Sequence, residues 1–113
     1  MMMTYKAIVE KIVDGDTIKM NIDLGFRVWI KANCRLYGIN TPELNSKDED
    51  ERNRAKQAVS HLSELVTVGD RYNIISHELD KYGRPLVTIL KNGVEDSVNN
   101  IMVQSGHAIK YNP

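Results

Sequence analysis

The chain has 113 residues, with 15 Lys plus Arg against 15 Asp plus Glu and therefore no net charge. That length supports one hydrophobic core, spanning 1–113, and a composition 42% hydrophobic and 27% charged excludes a disordered or collagen-like chain. No apolar run approaches the roughly 20 residues of a spanning helix, no signal peptide is visible, and the lone Cys34 excludes an internal disulfide and a cysteine-based zinc site.

These features predict a cytoplasmic protein without membrane contact. Zero net charge, taken alone, argues against a polyanionic partner.

The first third of the chain reads as strand. Ile18, Met20, Ile22 and Leu24 alternate with polar residues, the period of a half-buried strand. Asp14-Gly15 before them predicts a hairpin with Tyr5–Val13. Leu24-Gly25 is a second turn. Phe26, Val28, Ile30, Ala32, Cys34 and Leu36 then form a long even-numbered apolar register, which sends Arg35 to the opposite face.

A helix follows. Ala55, Ala58, Val59, Leu62, Leu65 and Val66 form one apolar stripe, and Ser46 with Glu49 matches a capping box. His61 lies off the stripe and is expected to be exposed. The acidic run Asp48–Glu51 suits the positive end of the helix dipole and reads as a solvated face.

Tyr72–Ile75 and Leu86–Leu90 read as two further strands. A short helix around Val98, Ile101 and Met102 is capped by Asp96 or Ser97 and stopped at Gly106. His107–Tyr111 adds a last short strand. Five strands and two helices in this order predict an α+β fold, a small closed OB-type barrel.

Three constellations carry chemistry. Asp14-Gly15-Asp16-Thr17 is by itself a hairpin turn, yet Asp16 offers a carboxylate to a hard cation such as calcium. Asp14 is expected to point elsewhere.

Arg35-Leu36-Tyr37-Gly38-Ile39-Asn40-Thr41-Pro42-Glu43 has two readings. Structurally, Thr41-Pro42-Glu43 starts a helix, with a cap, a proline and a first-turn acid. Functionally, Arg35 binds a phosphate and Glu43 orients or deprotonates a water. Asp80-Lys81-Tyr82-Gly83-Arg84-Pro85 is a tight loop, or a second phosphate-holding cluster.

In this order the three motifs resemble the staphylococcal nuclease family, and the resemblance runs from about Val9 to Ala108. It implies an OB barrel that hydrolyses DNA or RNA phosphodiesters with calcium and leaves 3′-phosphate ends. By position, Arg35 and Arg84 would stabilise the transition state, and Glu43 would orient or activate water. Asp16 and Asn40 would ligate calcium by their side chains and Thr41 by its backbone carbonyl. Lys81 and Tyr82 would contact a terminal phosphate.

The sequence departs from the family at three points. Asn40 stands where the family usually has Asp, which predicts weaker calcium binding. Arg54 stands where Glu is common. The secreted nuclease continues past the position of Pro113 into a third helix, so the barrel is expected to be less stable or covered there by another chain.

The leading function is a calcium-dependent, sequence-nonspecific nuclease, expected as a monomer. The alternative is a non-catalytic nucleic-acid-binding OB domain. On either reading zero net charge implies local attraction around a few basic residues and not a broad basic footprint. Trp29, between Arg27 and Lys31, is either packed under a loop or exposed to stack a base.

Overall fold

The computed structural model describes residues 2–112; Met1 and Pro113, the two ends of the expected domain, lie outside the described residues. Its elements are β1 (Met3–Asp14), β2 (Thr17–Asp23), β3 (Trp29–Leu36), β4 (Ile39–Asn40), α1 (Glu49–Leu65), β5 (Arg71–Leu79), β6 (Pro85–Leu90), α2 (Val98–Gln104) and β7 (Ile109–Lys110).

Five strands close into a barrel in the order β1-β2-β3-β6-β5, and β4 pairs with β7 in a separate two-stranded sheet. The β3–β6 contact is parallel and closes the barrel at Arg35↔Leu86 and Leu36↔Val87. The five-stranded barrel with two helices is the α+β, OB-type architecture expected. No helix among the described residues is long and apolar enough to cross a membrane.

Alternation sets the barrel's inside. Ile18, Met20 and Ile22 of β2 point inward with Val9, Cys34, Leu36, Ile74, Val87 and Ile89, all essentially without solvent contact. Burial pushes the Cys34 thiol up to about 12, so this cysteine is an inert core residue.

One end of the core is covered by α1, through Ala58, Leu62 and Val66. The small Ala58 lets the β1–β2 turn come close. A Cβ at Gly15 would sit 2.9 Å from Ala58 Cβ and 3.0 Å from Thr41 Oγ1.

Asn99 of α2 pins three segments together. Its Oδ1 accepts from Ile89 N at 3.1 Å, and its Nδ2 donates to the carbonyls of Tyr37 and Val87 at 2.9 Å each. Removing a buried partner leaves Ile89 N and Tyr37 O without this bond. Asn99→Ala should therefore cost about 2–4 kcal/mol in a urea unfolding titration.

Several expectations are corrected. The even-numbered register of β3 holds only at its end. Phe26 is fully exposed, and Val28 and Ile30 are also exposed. Gly25, Phe26 and Arg27 all have left-handed φ angles (84°, 54° and 64°), so the turn runs further than Leu24-Gly25 and the strand begins only at Trp29.

The cap of α1 is Asp48, whose carboxylate accepts from Asp50 N, while Ser46 Oγ accepts from Asp48 N. The cap thus falls two residues later than the Ser46–Glu49 box. No helix starts at Thr41-Pro42-Glu43, which lies in the loop between β4 and α1.

His61 is half-buried, against the expected exposure. Its ring stacks on His107 with centroids 4.6 Å apart, because α1 and α2 pack on that flank. Trp29 is not packed under a loop; it is 39% exposed.

Candidate active site

The β1–β2 turn places Asp16. Its backbone N–H donates to Asp14 Oδ1 at 3.0 Å, and its Oδ1 accepts from the Thr17 hydroxyl at 3.1 Å. Its Oδ2 accepts from Thr41 N at 3.2 Å and lies 3.6 Å from Arg35 Nη2. One carboxylate therefore joins the first turn to the loop after β4 and to the end of β3.

Asp14 does not point away from this cluster. Asp14 ends β1 and Gly15-Asp16 make the turn, and residues two apart on a strand share a face, so Asp14 stays beside Asp16. Burial first, then the neighbouring Asp16, push the Asp14 carboxyl up to about 6.

Arg35 is held rigidly. Nη1 donates to Ile39 O at 3.2 Å and Nη2 donates to Asn40 Oδ1 at 2.9 Å. Its side chain is 15% exposed. Tyr111, just after β7, lies 5.6 Å from the guanidinium carbon by its ring centroid. Strand β7 is in place because Ile39↔Lys110 and Asn40↔Ile109 pair, and because Tyr111 N donates to Gly38 O at 2.9 Å.

Arg84 comes from the β5–β6 loop. Its Nε donates to Asp80 Oδ2 at 2.7 Å and its backbone N–H to Asp80 Oδ1 at 2.8 Å. Tyr82 N also donates to Asp80 Oδ1, at 2.9 Å. Desolvation acts to raise the Asp80 carboxyl, but the bonds and charge from Arg84 and the Tyr82 amide outweigh it and hold it below the usual range. The Tyr82 ring lies under both cations, 5.5 Å from Arg84 Cζ and 5.3 Å from Lys81 Nζ.

Arg35, Glu43, Lys81, Tyr82 and Arg84 line one open groove of about 610 Å³, together with Tyr37, Asp80 and Tyr111. Asp16, Asn40 and Thr41 meet at the Arg35 end. Asn40 and Thr41 also line a smaller depression of about 380 Å³ with Glu51, Arg54 and His107.

Asp80 and Tyr111 were not singled out from the sequence as site residues. The signal for Asp80 was there: an aspartate four residues before an arginine, across a glycine turn, can fold back onto that arginine's backbone and side chain. Tyr111 carried no signal, since its position depends on a strand of two residues. Asp80→Ala removes the charge-assisted bond that holds Arg84; for the phosphodiester cleavage that the motifs imply, turnover should fall roughly tenfold to a hundredfold, with part of it kept in Asp80→Asn. Steady-state cleavage rates with unchanged circular dichroism would check this.

The donor chemistry fits a hard cation. Asp16 supplies a carboxylate, Asn40 an amide oxygen and Thr41 a backbone carbonyl, all oxygen ligands of the kind calcium takes. No group of three His, Cys, Asp or Glu side chains gathers among the described residues, so the set is poor in charge.

The barrel thus carries two arginines along one groove, beside a cluster of oxygen donors. The family model described as staphylococcal nuclease homologue matches residues 33–113, and the chain belongs to that family. The match includes every site residue above except Asp14 and Asp16. The chain is also 29% identical over 114 residues to Endonuclease YhcR of Bacillus subtilis (strain 168), covering 95% of this chain and 9% of that protein. It therefore spans under a tenth of that relative's length.

Proposed function

We propose that the chain is a calcium-dependent, largely sequence-nonspecific nuclease domain that hydrolyses phosphodiester bonds in DNA or RNA. One observation carries this reading: Arg35 and Arg84, from separate elements, line the same groove as Glu43, and the side-chain oxygens of Asp16 and Asn40 lie against Arg35, with the Thr41 amide bonded to Asp16.

Calcium held by those donors would supply Lewis-acid stabilisation of charge on the phosphoryl oxygens. The chain's own residues do the rest. Arg35 and Arg84 donate to the non-bridging oxygens, whose charge rises as the reaction proceeds. Glu43 orients a water and accepts its proton as the water oxygen bonds to phosphorus. The ester P–O bond opposite breaks, and the leaving oxygen takes a proton from solvent. Lys81 and Tyr82 hold a terminal phosphate.

Cleavage of single-stranded DNA by the purified protein in calcium, absent in EDTA, tests the proposal. No cleavage in either would overturn it. Binding without cleavage would favour a non-catalytic OB domain, the reading that Asn40 supports by removing one charge from the donor set. Asn40→Asp restores that charge, so half-saturation by calcium should fall severalfold in an activity or calorimetric titration. An unchanged value would show that Asn40 does not ligate.

A further inference from the structure

The outer face of β2 and β3 carries a stripe that the mechanism above leaves unused. Cys34 and Leu36 point into the barrel, so Trp29, Lys31, Asn33 and Arg35 point out. The register sets Asp23 opposite Trp29, Asn21 opposite Lys31, Lys19 opposite Asn33 and Thr17 opposite Arg35. Directly opposed residues share a face. The stripe thus runs without interruption from Trp29 to the groove's own arginine, about 20 Å at the strand rise.

Its chemistry is one-sided. Lys31 lies 3.3 Å from Glu10 but keeps 62% of its side chain exposed. An exposed pair of this kind is weak and exchanges readily for another anion. Asp23, the other acid on this face, already accepts from Gly25 N at 2.8 Å. Lys19, Asn21 and Asn33 add a cation and two amides. Trp29 ends the row with a partly exposed indole.

We infer that a single-stranded polynucleotide lies along this face, with its reacting phosphate at Arg35, neighbouring phosphates beside Lys19 and Lys31, and a base stacked on Trp29. The inference rests on the nuclease reading. Cations that track a backbone, with an aromatic platform for a base, are what sequence-tolerant binding of a single strand needs. Paired bases in a duplex hide their faces from Trp29, so the stripe favours unpaired strands.

Trp29 is the one tryptophan of the chain and reports on its own site. The experiment titrates octathymidylate or dithymidylate into the protein in EDTA at low salt and follows tryptophan emission. Octathymidylate should quench it, while dithymidylate, confined to the Arg35 end, should leave it unchanged. By anisotropy of a labelled octathymidylate, Trp29→Ala and the double substitution Lys19→Ala with Lys31→Ala should each weaken binding roughly tenfold, and Trp29→Phe should bind nearly as wild type.

No quenching at saturating octathymidylate, or unchanged affinity in both Ala variants with wild-type circular dichroism, overturns the inference. A wild-type protein that cleaves but shows no quenching loses the track and keeps the nuclease reading. Quenching without cleavage does the reverse.

Discussion

Arg35→Ala and Arg84→Ala should each lower turnover on single-stranded DNA by roughly 100- to 1000-fold, the cost of losing one donor aimed at developing charge. The two losses should differ in character. Arg35 is bonded to Ile39 O and Asn40 Oδ1 and lies against Asp16. Its removal strips partners from three groups, so stability should fall together with rate. Arg35→Lys should not rescue, because one ammonium cannot span both acceptors as the planar fork does.

Among the described residues the Arg84 side chain bonds Asp80 alone, above the Tyr82 ring, and it is partly exposed. Arg84→Ala should keep its urea midpoint and lose rate alone. Single-turnover kinetics beside unfolding curves separate the two effects. Near-normal rates in either variant would remove the arginines from the mechanism.

Gly15→Ala should cost about 1–3 kcal/mol of stability, the usual price of overpacking a close contact. The added methyl would meet Ala58 Cβ at 2.9 Å and both branches of Thr41 at 3.0–3.1 Å. Neither neighbour is a flexible chain end. Ala58 belongs to the buried stripe of α1, and Thr41 is held through its backbone by Asp16. The strain must therefore move the helix, the turn or the β4–α1 loop. If it moves the loop, Thr41 shifts relative to Asp16, which holds its amide, and calcium half-saturation should rise with the loss of stability. Chemical denaturation and a calcium titration of one preparation would read both. A variant as stable as wild type would mean that the turn and helix separate freely.

The barrel was legible because its signal is periodic. Ile18, Met20 and Ile22 alternate, Ala55, Ala58 and Leu62 keep a helical spacing, and both patterns are buried as read. Arg35 was placed on the outer face by the same parity. Where the backbone leaves regular geometry, parity misleads. It extended β3 back to Phe26, although three left-handed residues intervene. Asp14 was expected away from Asp16, although residues two apart share a strand face and Asp16 N donates to Asp14 Oδ1.

Short motifs had a different weakness. Thr41-Pro42-Glu43 has the composition of a helix start, yet the chain stays irregular there because Asp16 holds the Thr41 amide. Local chemistry could not reveal a partner 25 residues upstream. The short strand within His107–Tyr111 was read, but its pairing with β4 and the place of Tyr111 beside Arg35 were hidden for the same reason. Two-residue strands have no period, and their pairing depends on the whole barrel being present.

That last pairing has a consequence for the order in which the domain becomes complete during synthesis. A nascent chain that has emerged through β6 already holds every strand of the barrel, together with Arg35, Glu43 and Arg84. It lacks α2, whose Val98 and Met102 belong to the core and whose Asn99 ties β6 to Tyr37, and it lacks β7, and so the clasp on Ile39, Asn40 and Gly38 and the Tyr111 ring beside Arg35. Such a chain holds every barrel strand, but neither core nor groove is complete until α2 and β7 arrive. The messenger RNA being read, itself a phosphodiester chain, is by then nearly fully translated through this domain.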